Sequence, residues 1–435
     1  MQSIKNSRII TKGKIALAVS ISLLVTLTNY FVGNTAIPMP DEMSVLQRWN
    51  QLKSLNGWNH DSIPDDVLLI DVAYDKQLVD YYIDGFPVGQ YVITNRQKLL
   101  DFLMKAKHAN NYKYIMLDVI FEKGIESPED SALFSLIASM NRIVIPMHED
   151  ALLQDSCLYS KAANADYRVT WEESNFARYQ FIHDGKESIP LRMYKELNNG
   201  YIHKWGPLFF SKGWLCRNGI ALKMPIHLGE YQEEGKLKQY SRLYLGADLL
   251  AMDSIVPIGQ EIKDKIVVVG DFKDDVHDTY LGCLPGSIIC LNAYYALSQG
   301  DHILLGQYGG TLVFYLIIIL LYIGLAMAIL NGYTLSSITN KPWLQVLLSL
   351  FSTNTLFWFI AIVAYLSPLD IVYNVWIPIG MFSLLDFFTN IYSNYKSIQD
   401  EKGKANTIVN NSSIDNNNVG NQVQNTISEP PKSTD

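Results

Sequence analysis

The sequence lacks the short motifs that most often mark an enzyme active site. It contains no G-x-S-x-G elbow for a nucleophile, no G-x-x-x-x-G-K-S/T loop for phosphate and no G-x-G-x-x-G fingerprint for a dinucleotide. None of the eight histidines shows H-x-x-x-H or H-E-x-x-H spacing. We therefore predict that the chain is not an enzyme, and we expect no cofactor.

Charge is almost absent from two parts of the chain. Residues 15–33 carry no charged side chain, and the residues before them carry Lys and Arg but no acid. A run of this length can cross a bilayer as one helix, and its basic flank places the N-terminus in the cytoplasm. A cleaved signal peptide is the alternative, and either one exports the chain that follows.

The second uncharged block, residues 308–393, contains only Lys341, Asp370 and Asp386 as charged residues. Three successive apolar helices do not suit a soluble core. Together with the first span they predict four transmembrane helices and a cytoplasmic C-terminus. The three spans of this block lie near 310–330, 343–366 and 371–393.

This topology defines the domain organisation. We predict a multi-pass protein of the cytoplasmic (inner) membrane, with residues 34–307, here called the exported segment, outside the cytoplasm. Residues 1–14 and 394–435 then lie in the cytoplasm. The C-terminal stretch is rich in Asn and Ser and has too few large apolar residues to fold, so we expect disorder there.

Positive charge is sparse where a polyanion would have to bind. The net charge of the chain is -8, and Asp and Glu outnumber Lys and Arg in the exported segment. Nucleic acids and anionic lipid headgroups bind through clustered cations. We therefore expect no nucleic-acid partner.

Cysteine is sparse too, and no C-x-x-C occurs, so a zinc knuckle or a redox dithiol has no support. All cysteines fall in the exported segment, where disulfides can persist. Three pairings are possible, and free buried thiols are an equal alternative. The four residues are Cys157, Cys216, Cys283 and Cys290.

Apolar runs alternate with helical patterns in the exported segment. Continuous runs of Val, Ile and Leu suit strands buried on both faces of a parallel sheet. They predict strands at 65–74, 112–121, 142–147 and 264–273. Helices are predicted at 95–111, 130–141 and 286–300. The predicted fold class is an α/β extracytoplasmic domain with a mainly parallel sheet, plus four transmembrane α-helices, one N-terminal and three C-terminal.

Two local signals add detail. Asp130 stands at the start of the second predicted helix, where its carboxylate is placed to cap the first amides. Asp184-Gly185 predicts the turn of a hairpin that is followed by a helix.

Three stretches carry a resemblance to a known family. They are DDVLLIDVAYDKQLVD (65–80), the segment from YKYIMLDVIF to RIVIP (112–146), and DKIVVVGDFKDDVHDTYLGCLPGSIICLNAYYALSQG (264–300). In these stretches, with their acidic strand ends, the chain resembles the second type of cyclase/histidine-kinase-associated sensory extracellular (CHASE) domain. The order of the predicted transmembrane spans, one before the exported segment and three after it, is also similar to that family.

The resemblance implies a membrane-anchored sensor that binds an unknown small ligand outside the cytoplasm. Members of the family usually continue into a kinase, cyclase or similar output module, whereas this chain continues into its Asn-rich tail. The resemblance therefore implies a separate cytoplasmic or membrane signalling partner. A homodimer is left open.

The candidate ligand-binding residues are acids at or after strand ends: Asp71, Asp118, Asp271 and Asp278. In parallel α/β sheets, ligands collect at the carboxyl edge of the strands. Carboxylates there suit an amine, a hydroxylated ligand or a cation. The alternative is that they cap helices or accept hydrogen bonds from loop amides.

Two further sets of residues are weaker candidates. Asp274, Asp275 and His277 supply ligand types that suit a hard cation, and a solvated acidic loop is the alternative. Asp386 lies inside the last predicted span, where an acid is a candidate intramembrane relay unless it reaches headgroup water. Besides a sensor, we keep two functions open: a non-catalytic envelope scaffold or degenerate sensor, and a metal-dependent envelope hydrolase that uses Asp118 and Asp271.

Overall fold

The main sheet of the α/β domain has six strands, and every neighbouring pair is parallel. The computed structural model describes residues 12–34, 46–48, 51–52, 55, 64–83, 86–148, 152–166, 178–222, 242–304, 310–331, 353–366 and 375–424. The strands are β1 (Val67–Asp71), β4 (Tyr114–Leu117), β5 (Ile143–Met147), β6 (Ala162–Asn164), β14 (Arg242–Tyr244) and β15 (Ile266–Gly270), in the order β14-β1-β15-β4-β5-β6. The predicted α/β class with a parallel sheet is confirmed.

The centre of this sheet explains why its strands are continuously apolar. All five residues of β15 are buried, because β1 and β4 flank it and helices cover both faces. Its register pairs Gly270 with Asp71, and Val269 with Leu117. The predicted acidic ends of three strands therefore lie side by side at one edge of the sheet.

Helices cover both faces of the sheet. One face carries α2 (Arg96–Ala109), α3 (Asp130–Ser139), a π-helix (Leu245–Leu250) and α5 (Ile258–Glu261), whose apolar residues share one core cluster with alternate strand residues. The intervening strand residues are buried outside that cluster, on the opposite face. That face carries α4 (Ile189–Asn198) and α6 (Gly286–Gln299), which pack against each other.

The helix starts agree with the predicted positions, with one correction. Asn95 caps α2 by accepting a hydrogen bond from the Lys98 N–H (2.9 Å). Asp130 does not cap α3: its carboxylate accepts instead from the Ser127 N–H (2.7 Å). The reason is that it also pairs with the buried guanidinium of Arg96, which holds it away from the helix amides.

Antiparallel elements surround the sheet. Strands β8 (Ile182–His183) and β9 (Lys186–Glu187) pair with each other, and the two residues between them, Asp184 and Gly185, adopt positive φ. The predicted hairpin turn is therefore confirmed, and α4 follows it. The paired strands are β2 (Lys76–Ile83) with β3 (Phe86–Thr94), β7 (Arg178–Gln180) with β13 (Gly219–Ala221), β8 (Ile182–His183) with β9 (Lys186–Glu187), β16 (Val276–Thr279) with β17 (Gly282–Pro285), and the sheet β10 (His203–Trp205), β11 (Leu208–Ser211), β12 (Trp214–Cys216).

Two helices are long and apolar enough to cross a membrane: α1 (Lys12–Gly33) and the Val313–Leu330 part of α7 (Gly310–Leu330). They coincide with the first and second of the four predicted spans. The third falls partly on α8 (Thr353–Leu366) and the fourth on α9 (Trp376–Gln424), while residues 332–352 and 367–374 lie outside the described part. The α/β domain belongs to a compact unit that spans Thr26–Ile318 and Phe357–Trp376.

The C-terminal region differs from the prediction. The sequence predicts disorder from residue 394, whereas α9 remains helical to Gln424. Pro378 lies in the first turn of α9, where proline is tolerated, and no second proline occurs before residue 430. Once a helix is nucleated, each added residue gains a hydrogen bond, so a polar chain without a further proline can continue it.

Candidate functional site

A cavity of about 540 Å³ lies at the carboxyl edge of β4 and β15. The β2–β3 hairpin, the segments after β4 and β15, β7 and the start of α6 all contribute to its wall. Ligand cavities in proteins commonly measure about 300–1,000 Å³. Its ionisable lining residues include Lys76, Arg96, Asp118, Glu122, His148, Asp271, Asp274, Asp275 and His277.

Asp118 is the central acid of this cavity. It follows β4 directly, and its backbone N–H donates to the Val269 carbonyl oxygen of β15 (2.8 Å), which fixes the residue beside the sheet. The side chain is half-buried, and in the described part of the chain no group donates a hydrogen bond to its carboxylate. Burial raises the pKa of Asp118 to about 7, and the nearby Asp275 carboxylate adds to the rise, while His148 and His277 oppose it.

Asp275 brings a second carboxylate to the same space. Its Oδ1 lies 3.1 Å from His277 Nε2, and its carbonyl oxygen accepts from the Gly286 N–H at the start of α6 (3.1 Å). A Cβ on residue 286 would come within 2.7 Å of Asp275 Oδ2. Glycine therefore allows this carboxylate to approach the positive end of the helix dipole.

The two cations that line the cavity are already paired. Lys76 Nζ lies 2.5 Å from Asp271 Oδ2. Burial raises the pKa of Asp271, but hydrogen bonds from the Asp274 N–H, Lys76 and the Lys273 N–H outweigh it and leave the pKa below its usual value. Asp271 is therefore ionised, and its carboxylate already accepts hydrogen bonds from Lys76 and from two backbone N–H groups.

Arg96 is the second paired cation. Its Nε lies 3.4 Å from Asp130 Oδ1, its Nη2 donates to the Ile120 carbonyl oxygen (2.9 Å), and its guanidinium stacks on the Phe121 ring at 4.4 Å. Only 1% of Arg96 is exposed. Burial lowers the pKa of Arg96 to about 10, and the Asp130 carboxylate partly offsets this effect.

The remaining wall is largely apolar. Tyr179 of β7 and Cys290 of α6 lie with the hydroxyl oxygen 3.7 Å from the sulfur, and burial raises the pKa of both groups. Most of the other lining residues are aliphatic, namely Val92, Ile93, Val119, Ile120, Ile125, Ala165, Ile189 and Ile289, while Tyr91 and Thr94 add an aromatic ring and a hydroxyl group. The cavity thus combines an acidic centre with an apolar wall.

The structure separates the four predicted ligand residues. Asp118 and Asp271 line the cavity together. Asp71 lies at the same sheet edge but is fully buried, where its carboxylate accepts from the Ala73 N–H (2.8 Å) and lies 3.3 Å from Arg242 Nη1. Asp278 is exposed and accepts a hydrogen bond from the Cys283 thiol (2.9 Å), away from the cavity lining.

The other candidates also have defined places. Asp274, Asp275 and His277 all line the cavity, but the described residues contain no group of three or more His, Cys, Asp or Glu arranged to hold a metal ion. Asp386 is exposed on α9 and accepts from Asn390 one turn later (3.4 Å). All four cysteines are free thiols, of which Cys216 and Cys290 are buried.

Several lining residues were missed by sequence reasoning. His148 follows β5 as Asp118 follows β4, so the strand-end rule could have found it, and its Nδ1 lies 2.9 Å from Asp166 Oδ1. Arg96, Tyr179 and Cys290 carry no such signal, because only tertiary packing brings them to this edge.

Comparisons with known proteins give no assignment: no family model matches the chain, and neither a curated protein nor a solved structure matches it. The geometry of the cavity is therefore the basis for a functional proposal.

Proposed function

We propose that this chain is a membrane-anchored sensor whose α/β domain binds a small organic cation in the cavity. The observation that carries the proposal is the Asp118 carboxylate, which lines the cavity and accepts no hydrogen bond from the described residues. A half-buried carboxylate that accepts no hydrogen bond from the protein is poorly stabilised in its charged form, and an ammonium group would supply both charge and hydrogen-bond donors.

The charge balance of the cavity supports a cation over an anion. Lys76 and Arg96 each lie beside a carboxylate partner that offsets their charge. The Asp275 carboxylate lies close enough to contribute to the raised pKa of Asp118. A ligand cation between them would relieve this repulsion. The apolar wall suits a short carbon chain attached to the cationic group.

The membrane part of the proposal extends beyond the two helices that could cross a bilayer. We propose four spans, residues 34–307 outside the cytoplasm, and a separate cytoplasmic or membrane partner that receives the signal. The resemblance to the second type of CHASE domain supports this arrangement. The test is protease accessibility of tags at both termini in intact cells: both should be protected, and an accessible terminus would contradict the topology.

Ligand binding is tested with three four-carbon compounds of matched size: 1,4-diaminobutane, 1,4-butanediol and succinate. Titration calorimetry on the full chain in lipid nanodiscs should show binding of the diamine only. The variant Asp118→Asn should weaken that binding about tenfold to hundredfold, since a hydrogen bond to a charged group contributes about 1.5–3 kcal/mol. The matched control Asp278→Asn, outside the cavity, should bind as the wild type does. Equal affinity for the diol, or an unchanged affinity in Asp118→Asn, would refute the assignment.

A non-catalytic scaffold is the alternative that one observation favours. The β2–β3 hairpin exposes large apolar side chains, with Leu78 64%, Phe86 73% and Val88 54% exposed, and such patches often mark interaction surfaces. A scaffold predicts that none of the three compounds binds, while substitution of these side chains by Ser abolishes co-purification of another envelope protein.

A further inference from the structure

The last turn of α1 is tied to the α/β domain by three hydrogen bonds. The Tyr30 hydroxyl donates to the Cys216 carbonyl oxygen (2.7 Å), and the Asn218 N–H donates to Asn34 Oδ1 (2.6 Å). Gln180 Nε2 donates to the Asn34 carbonyl oxygen (2.7 Å). Four of these five residues are buried, so water competes little with the bonds.

Arg217 reaches α7 from the same short segment. Its Nη2 donates to the Tyr315 hydroxyl (2.6 Å), and its backbone N–H donates to the His302 carbonyl oxygen (2.8 Å). A Cβ on Gly219 would lie 2.8 Å from the carbonyl oxygen of Gly33, so the backbones approach closely here. Residues 215–219, which we term the junction, therefore contact both the end of α1 and the start of α7.

Strand β7 connects the cavity with the junction. Tyr179 lines the cavity, while the next residue, Gln180, holds Asn34. In the pairing of β7 with β13, Gln180 lies opposite Gly219, the last residue of the junction. A displacement of Tyr179 by a ligand would therefore act on a strand that is bonded directly to the end of α1.

Helix α6 makes a second connection. Its first residue, Gly286, and Cys290 line the cavity. The chain then reaches His302, which is fully buried and whose carbonyl oxygen accepts from Arg217. Because a helix moves largely as a rigid unit, a change at its cavity end is carried to its other end.

We infer that the junction transmits occupancy of the cavity to the ends of α1 and α7. This inference rests on the proposed function for its signal, but the contacts that carry it lie outside the cavity. The cavity and the junction contact the same packed elements, β7 and the α6 segment, through which coupling between them can act.

The test uses hydrogen–deuterium exchange on the full chain in nanodiscs, with 1,4-diaminobutane as the probe. A second probe is a cation tethered in the cavity: Ile125→Cys, in a Cys157→Ser, Cys283→Ser background, modified with methanethiosulfonate ethyltrimethylammonium. The hydroxyethyl reagent is its neutral control. Cys216 is buried and lies outside the cavity lining, and the same treatment of the background without Ile125→Cys controls for reaction at Cys290, which lines the cavity.

Either cation should change exchange of residues 215–219 by about threefold to tenfold, the change expected from one hydrogen bond worth about 0.5–1.5 kcal/mol. The same cation should also change hydrogen exchange of residues 313–318 and of residues 26–34. Tyr315→Phe should remove the change in residues 313–318 only. The double variant Tyr30→Phe, Asn34→Ala should remove the change in hydrogen exchange of residues 26–34 only. Tyr201→Phe, at an exposed ring, is the control and should alter neither.

The outcomes separate this inference from the ligand assignment. If the tethered cation changes the junction but the diamine does not bind, the ligand class is wrong and the inference stands. If a cation changes only segments that line the cavity and leaves residues 215–219 unchanged, the inference is refuted while the cavity remains a binding site.

Discussion

Replacement of Asp118 by Asn should make the protein more stable at alkaline pH. The folded state raises the pKa of Asp118 from 3.8 to about 7, and each pKa unit corresponds to about 1.36 kcal/mol. The folded state therefore binds an extra proton between these values, and its stability falls as the pH rises from about 4 to about 7. The full shift in pKa would lower the free energy of unfolding by roughly 4 kcal/mol at pH 8 and by roughly 1.5 kcal/mol at pH 5. Since the Asp118 side chain is only half-buried, solvent screens its charge, and we expect about half of each of these two free energies.

Pulse proteolysis of the full chain in urea, at pH 5 and pH 8, measures this effect. Asp118→Asn should exceed the wild type in free energy of unfolding by about 2 kcal/mol at pH 8 and by less than about 1 kcal/mol at pH 5. Asp278→Asn is the matched control, because its carboxylate is exposed. An Asn variant with the same pH dependence as the wild type would show that Asp118 is not strained by burial and Asp275, and would remove the basis of the ligand proposal.

Three further predictions concern other groups. Arg96→Met leaves its partner carboxylate buried and unpaired, so urea unfolding should show a loss of about 3–5 kcal/mol; a loss below about 1 kcal/mol would mean that the pair is solvated. Burial lowers the pKa of His302 from 6.5 to about 4, so lowering the pH from 7 to 5 should destabilise the wild type by about 2 kcal/mol relative to His302→Gln, and an equal pH dependence of the two proteins would show that His302 is not responsible. A thiol reagent at pH 8 should modify Cys157 and Cys283 of the native protein and reach Cys216, which lies outside the cavity lining, only on unfolding; rapid modification of Cys216 would contradict its burial.

The central strands could be predicted because burial on both faces imposes a continuous apolar pattern. β1, β4, β5 and β15 all lie within predicted segments. The outer strands β6 and β14 have three residues each, too few for any pattern to be distinctive. The β2–β3 hairpin was also missed, since its exposed residues mix polar and apolar types and pack on little else.

The order of the strands was not predictable from the pattern. β15 is the last of the six main-sheet strands in the sequence, yet it lies between β1 and β4, two of the first strands of that sheet. This insertion is what brings the Asp271 loop beside Asp118 and forms the cavity. A local sequence pattern predicts where a strand ends. It does not predict which strands lie next to each other in the sheet, because that depends on packing between distant segments.

Three aspartates have the same place in the sequence pattern and different environments in the fold. Asp71 lies beside Arg242, and Asp271 pairs with Lys76. Asp118, on the strand next to Asp271, has no hydrogen-bond donor within the described residues. The distinction arises because each pairing cation comes from outside the acid's own strand-end motif: Arg242 begins β14, far along the chain, and Lys76 begins the β2–β3 hairpin. A strand-end acid is thus a structural residue where such a cation reaches it, and a candidate binding residue where the sheet edge leaves it open to a cavity.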